Sequence, residues 1–540
     1  MIQSFVRTTV RRLAPIAMGA VALGSSAFGS GTAQAAAQNL VIRPMISDWA
    51  YLGNSGTPPS DVLCNQIPPP FGPRRCFTPE AMHNAYNYAA LLADGNQGQG
   101  KTIAVVDSFG ASTIRQDLGV FNTAFGLPHL CGETGPNDPS GNCPPSQSPR
   151  FDIVAVQGYP PPVPPPPNNG TGLEYHNLWD LEVALDVEWA HATAPLANIM
   201  LVTTPTAETL GVQGFQQMMN AEDALITGHK VDVISQSFGS GEGAFHNGLA
   251  SLKQLRQAFI DAKANDVTVF ASSGDGGSLN NYKEPVKNPA PIPYPSVIWP
   301  ASDPLVTAVG GTYLCMDATT GAAPNFIEPP VNCQSARNPA QEREPAWVVA
   351  GGGYSIYFPK PSFQSALPAL PAGSTYQGSA PGMPVPAGAQ MRGVPDIAYQ
   401  ASSRTGVLVY LTEPNTAGAP TGGTPCHVNP PVPCSTGWYV VGGTSASSPQ
   451  WAGLIAIADQ MAGRDLGYIN PALYSLADNP TTYAADFYDD DTNSNAQAVP
   501  GSGTSGSCCP SSRGWDAVTG LGSPNAAALL PDLIAATATP

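Results

Sequence analysis

Four short apolar runs recur along the chain: Lys101 to Asp107 (K-T-I-A-V-V-D), Asn198 to Thr203 (N-I-M-L-V-T), Asp232 to Phe238 (D-V-I-S-Q-S-F) and Val267 to Ser272 (V-T-V-F-A-S). Each is short enough for a strand and too continuously apolar for a sheet with one wet face. Helical stretches at about 178–192, 210–227 and 246–264 separate them. Short buried strands alternating with helices give an α/β fold, a mostly parallel sheet flanked by helices on both faces. Open sheets of this kind gather ligands at the carboxyl ends of their strands. That directs attention to Ser273-Gly274-Asp275, which follows the fourth run.

Only 11% of the 540 residues are charged, against about 25% in average proteins. The formal net charge is -17 with 22 lysines and arginines, and no basic stripe is visible. This argues against a nucleic-acid partner. A chain poor in basic groups also accumulates less positive self-repulsion once its carboxylates are protonated, a composition compatible with work in acid.

Arg7, Arg11 and Arg12 precede a small-residue-rich apolar run from Leu13 to Gly29, and Ala33-Gln34-Ala35 supplies an A-x-A site. Residues 1–35 therefore read as a secretory signal peptide. Residues 36–77 read as a short, Pro-rich, irregular extension, and 78–540 as the main body. No later stretch is long and apolar enough to span a bilayer, so the expected product is soluble, exported and free of the membrane after signal removal. Ten cysteines fit an oxidising compartment. They fall in neighbouring pairs: Cys64 and Cys76, Cys131 and Cys143, Cys315 and Cys333, Cys426 and Cys434, Cys508 and Cys509. Local disulfides are expected for these, with Cys508-Cys509 either vicinal or paired elsewhere. Tyr159 to Gly172 holds a polyproline stretch that reads as a stiff spacer.

Near the C-terminus stands G-G-T-S-A-S-S-P-Q-W-A-G-L-I-A, Gly442 to Ala456. The glycines permit a crowded turn. Trp451, Leu454, Ile455 and Ala458 follow at helical spacing, with Pro449 placed in the first turn and Gly463 as the stop. Ser445 would stand beside unpaired N–H groups at the positive end of a helix, which suits a nucleophile that forms an oxyanion. The same segment also reads as a glycine turn capping an ordinary buried helix.

A serine nucleophile needs a base. None of the seven histidines (His83, His129, His176, His191, His229, His246, His427) lies in an H-G-T-H setting. A carboxyl pair is available instead. Glu182 and Asp186, in L-W-D-L-E-V-A-L-D-V-E-W-A, are four residues apart and share one helix face. Buried together they would share a proton and one pKa would rise. Exposed, they would be a solvated acidic face, as Asp180 and Glu188 are read. Asp275, in A-S-S-G-D-G-G, is a third acid, or simply an acidic turn.

In these segments the chain resembles the sedolisins, the serine-carboxyl peptidases, from about Phe77 to the C-terminus. The resemblance rests on Gly443-Thr444-Ser445 with Pro449, on Glu182 and Asp186 followed by A-T-A-P (Ala192 to Pro195), and on Ser273-Gly274-Asp275. Trp299 to Thr312, Gly351 to Ser355 and Arg392 to Asp396 add to it. It implies a subtilisin-like fold and acid proteolysis. Ser445 would attack the scissile carbonyl, Glu182 would take its proton, Asp186 would orient Glu182 and share a proton with it, and a protonated Asp275 would donate to the oxyanion. Asp107 would be an auxiliary acid of this network. An unperturbed glutamate is a weaker base than histidine by about two pKa units, and an unperturbed aspartate is ionised above about pH 4. Both facts favour acid.

The resemblance also implies one Ca²⁺. Asp489 and Asp516 would give carboxylates, and Asp490, Ser512 and Gly514 backbone carbonyls, hard oxygen donors suited to that ion. The sequence departs from the family pattern at Asp490, at Ser512 and in the Cys508-Cys509 loop. Sedolisins usually carry a whole folded prosegment, so residues 36–77 are either a residual one or a segment preceding a domain that folds without one. The expectation is a secreted, monomeric endopeptidase acting on polypeptides. Its rivals are a tripeptidyl-peptidase-type exopeptidase and a non-catalytic secreted binding protein on the same scaffold.

Overall fold

The computed structural model describes residues 43–538, apart from 45, 47, 69–71, 136–140, 157–177, 206–211, 246–247, 280–296, 323–342, 368–390, 414–434 and 490–510. The signal segment, the polyproline stretch and Asp490 therefore lie outside the described residues.

The core is a seven-stranded sheet built from β1 (Thr102–Ser108), β2 (Phe151–Ala155), β3 (Asn198–Thr204), β4 (Val233–Gln236), β5 (Thr268–Ser272), β6 (Thr307–Thr312) and β7 (Ile397–Gln400). Their spatial order is β7-β6-β5-β4-β1-β3-β2, and every neighbouring pair is parallel. Alternation along β1 explains the two layers. Ile103 and Val105 pack into one apolar cluster, Ala104 and Val106 into another. The first cluster holds α1 (Ile114–Phe125), α2 (Trp179–Thr193) and, later in the chain, the helix at Thr444–Ala462; the second holds α3 (Val212–Thr227) and α4 (Gln257–Ala264). This is the expected α/β architecture, with boundaries within two residues for the four runs except at one place. The run Asp232 to Phe238 is not one strand: β4 ends at Gln236, and Phe238–Gly241 belongs to a separate three-stranded sheet. The helix expected over 246–264 is likewise two, Leu249–Leu255 and α4.

A second sheet pairs Trp49–Gly53 with Gly437–Val441, then Thr405–Leu411, then Arg75–Phe77. Residues 49–53 and 75–77 are thus built into the main body rather than forming an irregular extension. Cys64–Cys76 ties the same stretch, and Cys131–Cys143 closes a second loop, both as expected. Cys315 is also disulfide-bonded; Cys333 lies outside the described residues. Among the described residues no helix is long and apolar enough to cross a membrane.

Strand 437–441 leads through Gly442-Gly443 into α5 (Thr444–Ala462). A Cβ on Gly442 would meet the Ser403 backbone nitrogen at 2.1 Å, and Gly443 has φ +123°, so this turn is closed to other residues. Gly463, φ +66°, ends the helix as expected. Pro449 lies inside α5 rather than in its first turn, where it removes the N–H that would have bonded the Ser445 carbonyl. Helix α5 crosses α2 at Gly453, where a Cβ would lie 2.6 Å from Thr193. That close approach brings the two helices carrying Ser445 and Glu182 together. Gly453→Ala should therefore cost about 1–3 kcal/mol by overpacking, read as a lowered urea midpoint; an unchanged midpoint would refute the crossing.

Candidate active site

Helix α2 has no wet side: every residue from Trp179 to Thr193 is buried. Asp180 and Glu188, expected on a solvated face, are therefore inside, and strand 405–411 covers the Glu188 end (Trp189 Nε1 donates to the Leu408 carbonyl, and the Tyr410 N–H to Glu188 Oε2). Glu182 and Asp186 lie four residues apart on this helix, fully buried. Asp107 follows Ile103 and Val105 on β1 and faces the same layer. Ser445 is the second residue of α5, also buried.

The groups influence one another directly. Burial pushes the Glu182 carboxyl well up, and the neighbouring charges of Asp186, Asp107 and Asp275 push it further; the Ser445 hydroxyl pulls it down. Ser445 thus faces Glu182, although neither its Oγ nor either Glu182 oxygen has a completed hydrogen bond. Catalytic hydrogen bonds are often long until substrate tightens them. Burial and then Asp107 raise Asp186, against a hydrogen bond from Ser237. Burial raises Asp107 to about 8.

Asp275 sits just past β5. Its Oδ1 accepts from the Thr444 N–H (2.8 Å) and the Thr444 hydroxyl (3.0 Å), and Thr444 Oγ1 accepts from the Gly274 N–H at 3.0 Å. Thr444 therefore bolts the loop after β5 to the start of α5, beside Ser445. The Ser273 hydroxyl donates to the Gly351 carbonyl at 2.6 Å. Among the described histidines none serves Ser445: His83 and His191 bond the carbonyls of Ala192 and Pro128, and burial lowers both to about 4. Sequence reasoning missed the part played by Ser237, whose hydroxyl donates to Asp186 Oδ1 at 3.0 Å. Ser237 lies inside the run Asp232 to Phe238, and nothing in its neighbourhood of sequence marks it.

Of the expected calcium residues, Asp489, Ser512, Gly514 and Asp516 are described, and hydrogen bonds link Asp489 to Gly514 and Ser512 to Asp516; Asp490 lies outside the described residues. The Gly514 N–H donates to Asp489 Oδ2 at 2.9 Å. Asp516 accepts from Ser512 N–H, Val518 N–H, Thr519 N–H and the hydroxyls of Ser511 and Thr519. Two carboxylates and the 512–514 backbone thus converge, and their oxygens fit a hard cation in kind. The described side-chain oxygens are here turned to N–H and O–H groups, and no cluster of three metal-ligating side chains occurs among the described residues.

Several known proteins resemble this chain. The Subtilase family matches residues 185–467, more than half of the chain. Kumamolisin of Bacillus sp. (strain MN-32) is 28% identical over 85% of this chain and 64% of its own length. Sedolisin of Pseudomonas sp. (strain 101) is 28% identical over 64% of this chain and 47% of its own. The chain belongs to the subtilase family, among the sedolisins. It also resembles tripeptidyl-peptidase 1 of Homo sapiens, 26% identical over 66% of this chain and 52% of that protein. The chain thus spans between about half and two thirds of the length of these relatives. The solved structure of Pseudomonas sedolisin, a serine-carboxyl proteinase complexed with two molecules of pseudo-iodotyrostatin, covers 85% of this sedolisin-family chain at a TM-score of 0.55 and 23% identity, and so supports the subtilisin-like fold.

Many acids are buried without a cation beside them: besides Asp107, burial raises Asp117 and Glu242 to about 7 and Glu222 to about 8. Unfolded, each would titrate near 4. Their contribution to stability is fully present below that value and is lost as pH rises through the folded pKa. The melting temperature should therefore fall between about pH 4 and pH 8; a melting temperature that rises over this range would contradict these burials.

Proposed function

We propose that this protein is a secreted, acid-active serine-carboxyl endopeptidase that cleaves polypeptides through an acyl-enzyme on Ser445. The observation that carries this reading is the buried meeting of Ser445 with Glu182, Asp186 and Asp107. Ser445 Oγ attacks the scissile carbonyl while its proton passes to Glu182. Asp186 holds Glu182 in place and shares the remaining proton of the pair. Asp275, protonated, donates to the developing oxyanion, helped by the N-terminus of α5. Glu182 then gives its proton to the leaving amine, and water, deprotonated by Glu182, releases the acyl group. At high pH the acids ionise, so the oxyanion loses its donor and like charges crowd the core.

An extended peptide has a natural berth here. Arg43–Pro44 pairs antiparallel with Phe238–Gly239, directly after Ser237. The Asp48 carbonyl accepts from the Gly442 N–H at 3.2 Å. This chain's own N-terminal stretch thus touches both the wall beginning at Ser237 and the loop entering Ser445. Incubation in acid should release an N-terminal fragment ending within residues 43–48 from the wild type and none from Ser445→Ala. The same outcome in both proteins would contradict the reading.

Ser445→Ala and Glu182→Gln should each lower kcat by more than about a thousandfold while retaining the melting transition. The assay is digestion of intact proteins across pH, with internal cuts expected. Release of N-terminal tripeptides alone would move the assignment to an exopeptidase, and near-full activity in either variant would overturn it. Asp489 and Asp516, with the carbonyls of Asp490, Ser512 and Gly514, would hold one Ca²⁺ that ties this loop to the body. A chelator should then lower the melting temperature, and calcium restore it; a melting temperature indifferent to both would exclude the ion.

A further inference from the structure

We propose that Ser237 is a positioning residue for the Glu182–Asp186 pair, its hydroxyl fixing which oxygen of Asp186 is turned to Glu182. The inference rests on the reading of that pair as the acid–base machinery. Asp107, Glu182 and Asp186 bury their carboxyl groups together. Both oxygens of Asp107, both of Glu182 and Oδ2 of Asp186 have no hydrogen-bond partner among the described residues. The remaining oxygen, Asp186 Oδ1, accepts from Ser237 Oγ at 3.0 Å. One donor therefore orients Asp186, since an occupied Oδ1 leaves Oδ2 as the oxygen that can share a proton with Glu182.

The backbone explains why Ser237 can do this. Along β4, Ile234 packs among the α3–α4 residues and Gln236 bonds Glu222 of α3, while Ser235 faces the other layer and meets Ser448 of α5 at 2.8 Å. Ser237 continues the odd-numbered face toward α2 and α5. It is also where the chain leaves the parallel ladder, which ends at Gln236. Its hydroxyl is thus set by the single residue that joins β4 to the strand Phe238–Gly241, held on both sides by strands. A donor to Asp186 favours the ionised carboxylate, opposing burial and the charge of Asp107. The other titratable groups facing the pair are Asp107 from β1 and Asp275 after β5, all acids, so no described cation could replace this donor.

The test is a pH–rate profile on full-length protein for Ser237→Ala, Ser237→Thr and Ser237→Cys, with Ser445→Ala and Glu182→Gln alongside. Ser237→Ala should lower kcat roughly tenfold with KM little changed. It should also move the acid limb of the profile up by about one pH unit. Ser237→Thr, which keeps the hydroxyl, should restore the wild-type limb. Should Ser237→Ala lose its melting transition, Ser237→Cys, of similar size and a weak donor, carries the test and should shift the limb in the same direction. A lowered melting temperature with an unmoved acid limb in a folded Ala or Cys variant would overturn the positioning role. Activity surviving in Ser445→Ala or Glu182→Gln would instead overturn the underlying mechanism, so the two failures are distinguishable.

Discussion

A helix with no solvent-facing side carries two carboxyl groups into the core, and what they can do depends on the proton that burial forces them to keep. Glu182 and Asp186 are both fully buried, near Asp107, with acids rather than cations around them. Two adjacent carboxylates cannot both ionise cheaply in such a place. The pair therefore titrates as a unit and holds a proton where exposed carboxylates have lost theirs. In the proposed mechanism that retained proton orients Glu182 toward Ser445, and it ties the serine to acid. The surrounding architecture serves this arrangement: α2 is sheathed by strand 405–411, and α5 presses on α2 at Gly453.

The strands of the sheet act as a set of aligned rods ending near one place. Asp107 is the last residue but one of β1, Ser237 follows β4, and Asp275 follows β5. Thr444 then locks the Asp275 loop to α5. Each contact is short-ranged and individually modest. Their joint effect is to hold Ser445, Glu182, Asp186 and Asp275 on rigid elements, the condition for electrostatic preorganisation.

Much of this was legible in the sequence because the physics is local. Buried parallel strands read as continuous apolar runs, and Glu182 and Asp186 betray their shared face by spacing alone. Asp180 and Glu188 were misread because burial of a charged face is decided by what packs on it, for Glu188 a strand more than two hundred positions away. The break at Ser237 was invisible for the same reason. Its departure from β4 is fixed by pairing with Arg43–Pro44 and Ile298–Trp299, contacts that no window of sequence contains. Residues 36–77 looked irregular because the strands at 49–53 and 75–77 are short and have a Pro-rich stretch between them, yet they pair with strands more than three hundred positions away.

The claim that matters most is that the acid pair stays protonated when ordinary carboxylates are ionised. Infrared difference spectroscopy near neutral pH reads it directly, comparing wild type with Glu182→Gln and Asp186→Asn. The account predicts a protonated-carboxyl band in the wild type that weakens in each variant. A spectrum in which neither substitution removes any protonated-carboxyl signal would contradict it.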